Sequence, residues 1–265
     1  MNYKDMLRAD KMPHIWCPGC GHGIILAAFL RAMAAKEVDP DKVVVVSGIG
    51  CSARASGYLD FNTLHTTHGR AIAFATGIKL ANPELMVVVL TGDGDCAAIG
   101  GNHLIHGARR NIDLTVIVFN NSIYGMTSGQ YSPLTPHRKK ATTAPYGNFD
   151  HPFDLVELAK GAGATFVARG ATAYPRQLEK VISQGLDHKG FSVIEAVSQC
   201  PTYYGRRNKM GSAVDMLHWI KENTSPGGKE EGKIPLGVFV QVQRPEYCSN
   251  YYESIESLAR GEKGE

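Results

Sequence analysis

No uninterrupted apolar run in the 265-residue sequence approaches the ~18 residues of a membrane span, so no embedded helix is expected. An excess of one charge is missing too. The 28 Lys and Arg and 25 Asp and Glu are spread along the chain and leave a formal +3, which gives no field that would select nucleic acid or another polyanion. Internal repeats and low-complexity tracts are absent, which excludes a solenoid or a disordered scaffold. The N-terminal stretch lacks a basic start followed by an apolar core and carries Asp, Lys, Pro and a Cys pair instead, so no secretory signal is read and the cytoplasm is the expected location. In that compartment the six cysteines do not read as a disulfide framework, because reducing poise keeps thiols free and a chain this long needs no staples. Metal or redox chemistry is their leading use.

The composition that remains, 43% hydrophobic and 20% charged, suits one large α/β domain with a substantial core. Short β-branched runs at Val43–Ser47, Met86–Thr91, Thr115–Asn120, Thr165–Arg169 and Ser192–Val197 are apolar on both faces, the pattern of buried parallel strands. Segments with helical spacing lie between them, at Gly23–Ala35, Ala71–Ala81, Ala97–Arg110, Phe153–Ala162 and Tyr174–Asp187. This alternation implies an α/β fold, a twisted parallel sheet with helices on both faces. The stretch from Ser225 to Lys233 is linker-like, so residues 1–224 are expected to form the domain and 225–265 a C-terminal extension. Glycine makes up 29 residues, about 11% against a usual ~7%. It clusters at 19–23, 48–50, 92–94 and 100–101, where backbone can approach a ligand.

In sheets of this kind ligands sit beyond the carboxyl ends of the strands. The run ending at Thr91 leads straight into Gly92-Asp93-Gly94-Asp95, and the next leads into Asn120-Asn121-Ser122-Ile123-Tyr124-Gly125. If the two strands are neighbours, Asp93 offers a carboxylate, Asn121 an amide oxygen and Ile123 a backbone carbonyl to one hard cation, with the other octahedral positions left for diphosphate oxygens and water. That describes a Mg²⁺-diphosphate site, to which amides opening the following helix would add positive partial charge. Alone, Gly-Asp-Gly is most often a tight turn and such an Asp a helix cap. The pairing of two strand ends favours the cation, and it resembles the thiamine diphosphate motif. Gly100-Gly101 inside a helix costs on the order of 1 kcal/mol per residue relative to Ala. Close packing against cofactor, partner chain or sheet would account for it.

Trp16-Cys17-Pro18-Gly19-Cys20-Gly21-His22 puts two thiolates in a Gly/Pro turn, suited to wrapping one side of a tetrahedral metal or an iron–sulfur cube. Cys51 in Gly48-Ile49-Gly50-Cys51-Ser52 and Cys200 in Ser198-Gln199-Cys200-Pro201 follow strand ends on the edge that holds the diphosphate site. Cys96, at a helix start, and Cys248, in the polar tail, fit less well. Thiolates suit zinc and iron alike. Beside thiamine, zinc would be only structural, whereas an iron–sulfur cluster would accept electrons.

Taken together, Cys17-Pro-Gly-Cys-Gly-His, Gly48-Ile-Gly-Cys-Ser, His68-Gly-Arg, Gly92-Asp-Gly-Asp, Asn120-Asn-Ser-Ile-Tyr-Gly-Met-Thr and Gln199-Cys-Pro-Thr-Tyr resemble the β subunit of 2-oxoacid:ferredoxin oxidoreductases over residues 12–210. The 2-oxoglutarate branch, 2-oxoglutarate synthase, is the nearer match through Leu64-His-Thr-Thr-His-Gly-Arg, Gly100-Gly-Asn-His and Ala141-Thr-Thr-Ala-Pro-Tyr-Gly-Asn. The resemblance implies a thiamine diphosphate-binding domain with a 4Fe-4S cluster on Cys17, Cys20, Cys51 and Cys200, and Mg²⁺ on Asp93, Asn121 and the Ile123 carbonyl. It assigns thiamine diphosphate to Ile49, Gly50, Cys51, Ser52, His68, Gly69, Arg70, Gly94, Asp95, Gly125, Met126 and Thr127.

The implied reaction is the reversible oxidative decarboxylation of 2-oxoglutarate with coenzyme A to succinyl-CoA and CO₂, with ferredoxin as electron acceptor. Its chemistry belongs to the cofactor, which attacks the 2-oxo carbon and takes up the electron pair as CO₂ leaves. The Glu that activates the pyrimidine is expected on an α subunit, with γ and δ subunits in assemblies that include them, so the chain alone should be inactive. Arg54 is the candidate for the distal carboxylate of the substrate, against a structural ion pair. Arg206, Arg207 and Lys209, or His137-Arg138-Lys139-Lys140, could dock acidic ferredoxin, against the reading of a solvated face. Three other readings stay open: the same chemistry on pyruvate or another 2-oxo acid, a non-oxidative decarboxylase, and a zinc-stabilised nucleotide-binding module without a redox role.

Overall fold

The structure, a computed structural model, describes residues 2–228 and 230–261. In chain order its elements are α1 (His22–Ala34), β1 (Val43–Ser47), the short α2 (Arg54–Gly57), β2 (Asn62–His65), α3 (Ala71–Ala81), β3 (Met86–Gly92), α4 (Gly101–Arg110), β4 (Leu114–Asn120), α5 (Leu155–Gly161), β5 (Phe166–Ala171), α6 (Pro175–Asp187), β6 (Phe191–Val197), α7 (Ala213–Asn223), β7 (Thr224–Pro226), β8 (Ile234–Gln241) and α8 (Tyr247–Ala259). One sheet runs β2-β1-β3-β4-β6-β5-β8-β7. All pairs are parallel except β5 with β8.

Both faces of the sheet are covered, which is why its strands read as unbroken apolar runs. Val45, Val88, Leu90, Ile117, Phe119 and Ile194 point to one face and pack with Ile25 and Phe29 of α1 and Leu178 and Ile182 of α6. The alternate residues Val46, Val87, Val89, Val116, Val118 and Val193 pack on the other face with α3, α4 and α5. Within β3 and β4 the register sets Gly92 opposite Phe119, so the loops that follow leave the same edge side by side.

The structure departs from the sequence reading in three places. The helix expected over 97–110 is broken: a wide π-type turn, Asp95–Ile99, precedes α4. A Cβ on Gly100 would lie 2.4 Å from the Asp95 carbonyl oxygen and 3.1 Å from that of Gly69. The nearest groups are the Asp95 and Cys96 carbonyls of the turn itself, with the Gly69 carbonyl of the loop carrying His68 next, so glycine there lets the turn and that loop close together. Gly101 has open space around its Cβ position. Strand β2 was not expected because Asn62-Thr63-Leu64-His65 is an edge strand with no apolar run. Finally, the segment after 225 is built into the sheet: β7 crosses the expected boundary, and β8 pairs with β5 at Val167 and Val240. Helix α8 lies against the second face, with Cys248 fully buried and Tyr252 donating to the Leu80 carbonyl. Cys248 is therefore a core residue. No helix among the described residues is long and apolar enough to cross a membrane.

Gly107 of α4 has no room for a side chain, since its Cβ would lie 2.6 Å from the Phe191 ring and 3.3 Å from Ile72. Gly107→Ala is expected to lower stability by ~1–3 kcal/mol through overpacking, and Gly101→Ala to leave it within ~0.5 kcal/mol. Thermal unfolding of the two variants checks this.

Candidate active site

A cavity of about 140 Å³ opens where β1, β3 and β4 end. Of the residues the resemblance assigns to thiamine diphosphate, Ile49 to Ser52, His68, Gly94, Asp95 and Gly125 to Thr127 line it, as do Asp93, Asn121 and Ile123. A larger cavity of about 330 Å³ lies beyond Asn121 and holds the buried Arg169–Glu195 ion pair, but none of the glycine-rich loops.

The three oxygen donors converge. The Asn121 side-chain atom that faces inward stands 2.8 Å from the Ile123 carbonyl oxygen and 3.3 Å from Asp93 Oδ1. Ligands at ~2.0–2.1 Å from Mg²⁺ put adjacent octahedral oxygens about 2.9 Å apart. With its oxygen turned inward, Asn121 therefore completes a cation-shaped corner; with its amide turned inward, it closes the corner by hydrogen bonds. Asp93 is 3% exposed and its other oxygen accepts from Ser132 Oγ at 2.5 Å. Burial pushes the Asp93 carboxyl up to about 7, the state a bound cation would reverse. The glycines flanking Asp93 are needed for close approach, since a Cβ on Gly94 would lie 2.2 Å from the Tyr124 ring.

Asp95, which the resemblance assigns to thiamine diphosphate, lines the cavity, and its carboxylate is also bonded within the protein. It accepts from Gly69 N at 2.7 Å and Thr91 Oγ1 at 2.8 Å, pairs with His68 Nδ1 at 2.5 Å, and approaches Ile49 N at 3.4 Å. One buried carboxylate thus ties together the loops after β1, β2 and β3. Arg70 Nη1 lies 2.8 Å from His103 Nε2, and neither Gly69 nor Arg70 lines the cavity.

The four thiols come from three segments that the fold stitches together. Gly21 N donates to the Gln199 carbonyl at 3.1 Å and Gln199 Nε2 to the Gly19 carbonyl at 3.1 Å, which joins the Cys17–Cys20 turn to Cys200. Trp16 Nε1 donates to the Cys51 carbonyl at 2.7 Å, which joins the same turn to Cys51. The Cβ position of Gly125 lies 3.2 Å from Cys51 Sγ and 4.0 Å from Cys200 Sγ, so both thiols flank Gly125; Cys51 lines the cavity. Burial, and then the charge of the other thiolates, pushes the Cys20 thiol up to about 12 and Cys51 up to about 11. Among the described residues no three His, Cys, Asp or Glu side chains close around a single ion. A tetrahedral zinc with bonds of ~2.3 Å needs sulfurs about 3.8 Å apart, whereas an iron–sulfur cube holds them wider. Cys96 is buried beside Asp95 and Asp93, with its thiol pushed up by burial. Arg54 is exposed at the start of α2, its N–H on the Cys51 carbonyl at 3.3 Å.

Ser132, Thr91 and Tyr124 support the site without having been singled out. Ser132 comes from a loop that carries no signal in the sequence. Trp16, His22 and Gln199 stood within the quoted motifs, but only the structure gives them partners.

Residues 48–196 match the family model of the thiamine pyrophosphate enzyme C-terminal TPP binding domain. The chain is 57% identical to the 2-oxoglutarate synthase subunit KorB of Methanothermobacter marburgensis over 96% of its length and 92% of the relative's. It is 53% identical to the same-named subunit of Archaeoglobus fulgidus, covering 97% and 94%. The chain belongs to the family of 2-oxoglutarate synthase KorB subunits. The fold agrees: the 2-oxoglutarate:ferredoxin oxidoreductase of Magnetococcus marinus, solved with 2-oxoglutarate, coenzyme A and succinyl-CoA bound, superposes with a TM-score of 0.90 at 36% identity, over 98% of this chain and 91% of that one. As a KorB-family chain it carries a thiamine diphosphate-binding domain, and every residue lining the 140 Å³ cavity except His22 falls within the matched region.

Asp95→Asn keeps the side-chain size but replaces one acceptor with a donor facing N–H groups. It is expected to weaken thiamine diphosphate binding by about 10- to 100-fold, the range for supporting partners of a metal site. Calorimetric titration of the cofactor with Mg²⁺ checks this.

Proposed function

We propose that this chain, as the β subunit of a 2-oxoglutarate:ferredoxin oxidoreductase, holds Mg²⁺-thiamine diphosphate in the 140 Å³ cavity and a 4Fe-4S cluster on Cys17, Cys20, Cys51 and Cys200 beside it. The observation that carries the reading is the position of Cys51, which lines the cavity and, with Cys200, flanks Gly125. The overall reaction takes 2-oxoglutarate and coenzyme A to succinyl-CoA and CO₂, releasing one proton and passing two electrons to ferredoxin.

When bound, thiamine diphosphate supplies the nucleophilic carbon and the electron sink for decarboxylation, and the iron–sulfur cluster supplies a one-electron acceptor. The residues of the chain bind and orient. Asp93, Asn121 and the Ile123 carbonyl would hold the cation, with Ser132 fixing the Asp93 rotamer. Asp95 holds His68 and the Gly69 amide at the mouth, and Trp16 and Gln199 keep the cysteine segments in register. The thiols stand in an environment that grades from the buried Cys200 to the exposed Cys17, which suits an electron path toward the surface. Arg206, Arg207 and Lys209 are exposed just past Cys200 and suit an acidic ferredoxin. The pyrimidine-activating Glu would come from an α subunit, where the cavity rim exposes Ile49 and Met126; γ and δ subunits and a reducing cytoplasm complete the setting.

The anaerobically purified complex is expected to show broad visible absorption, to reduce ferredoxin only with both 2-oxoglutarate and coenzyme A, and to lose both properties in Cys51→Ser. A colourless protein with equimolar zinc would overturn the cluster. The chain by itself should give no turnover. Arg54→Ala is expected to lower the preference for 2-oxoglutarate over pyruvate by about 10- to 100-fold, the value of a charged hydrogen bond to the distal carboxylate. Paired kcat/KM values for the two acids check this.

A further inference from the structure

His22 opens α1 at the base of the cavity and is 1% exposed. Its ring stands edge-to-face with Trp16 at 5.7 Å and with Phe119 at 5.2 Å. Its Nδ1 is buried without a hydrogen-bond partner. Its Nε2 lies 3.5 Å from the side-chain nitrogen of Asn121. The ring is thus enclosed by aromatic side chains and closed off from water.

The Asn121 amide has two orientations with different consequences. With NH₂ inward it donates to the Ile123 carbonyl at 2.8 Å and to Asp93 Oδ1 at 3.3 Å, and the three groups satisfy one another. With oxygen inward, three acceptors face a common point, which is stable only around a cation. That orientation turns the amide nitrogen toward His22 and leaves the oxygen accepting Ile123 N at 3.3 Å. A neutral imidazole with its proton on Nδ1 presents a bare Nε2 that accepts from the amide; the other tautomer would donate there and favour the closed orientation.

We propose that His22 is a positioning residue for the cation: its Nε2 lone pair accepts from the Asn121 amide and so turns Asn121 Oδ1 toward Mg²⁺. This rests on the assignment of Asp93, Asn121 and Ile123 to the cation. The unpartnered Nδ1 is then the consequence of holding the ring in the tautomer that the site needs. Asn121 supplies the ligand and His22 selects which of its two atoms faces the metal.

The test is a calorimetric Mg²⁺ titration of the complex with thiamine diphosphate present. His22→Phe keeps the ring packing and removes the acceptor, so half-saturation should require about 10- to 100-fold more Mg²⁺. His22→Gln loses the ring but offers an acceptor, so it should stay near the unsubstituted complex. The reverse order, or an unchanged His22→Phe, overturns the positioning role and assigns the ring to packing alone. Asp93→Ala should abolish saturation; if it binds Mg²⁺ normally, the cation assignment itself fails. Should His22→Phe not accumulate, histidine ¹⁵N shifts of the unsubstituted protein decide: a protonated Nδ1 and bare Nε2 in the Mg²⁺-loaded state support the proposal, and the opposite tautomer overturns it.

Discussion

Parallel pairing of β1, β3, β4 and β6 places the carboxyl ends of four strands on one edge, and each of those ends carries a short polar or sulfur-bearing loop. A parallel strand can be joined to its neighbour only by a crossover, so the helices cover the faces and the strand ends stay open. Residues far apart in the chain then stand within one cavity: Cys51 after β1, Asp93 after β3 and Asn121 after β4, with Cys200 after β6 beside Gly125 of its wall. The site depends on this register. A shift of one residue between β3 and β4 would turn the buried set of a strand to the opposite face.

Side-chain hydrogen bonds to backbone then fix loops that the sheet only brings near. Asp95 and Gln199 do parallel work on either side of the cavity. The Asp95 carboxylate gathers Ile49, His68, Gly69 and Thr91, and the Gln199 amide takes the Gly19 carbonyl while accepting from Thr172. Both are buried, so each bond replaces water that is excluded, and losing one partner would leave the other unsatisfied at a cost of ~1–3 kcal/mol. Glycine completes the arrangement by absence. Gly48 leaves room for the Asp95 carboxylate, whose Oδ2 would lie 2.1 Å from a Cβ there, and Gly19 lets the cysteine turn press on Ala213, at 2.3 Å.

Much of this was legible in the sequence because the strands are buried on both faces and so stand out as β-branched runs. Asp93, Asn121, Cys51 and Cys200 stood out because each follows such a run within a few residues, and Cys17 and Cys20 because they pair in a Gly/Pro turn. Less was visible where chemistry depends on orientation. Asp95 reads as a cofactor contact next to Asp93, but its bonds to the loops after β1 and β2 could not be read, because they depend on the π-type turn that points its carboxylate toward Gly48. Arg70 reads as part of the cofactor set, and its contact with His103 on the neighbouring helix had no signal in the sequence. Strand β8 was hidden by its mixed exposure, and the buried Cys248 by a helix that looks polar because much of it faces solvent. Ser132 could not be foreseen at all, since it reaches Asp93 from a loop whose path only tertiary packing sets.

The size of the cavity bears on what the chain can do by itself. Pockets that enclose a whole cofactor run to ~300–1,000 Å³. At about 140 Å³ this one has room for the diphosphate end and little more. Its rim leaves Ile49 42% and Met126 47% exposed, apolar groups at the mouth of a charged site where water would otherwise be preferred. Polar donors lie at the floor and apolar side chains at the opening, so the mouth offers apolar surface beside a charged interior.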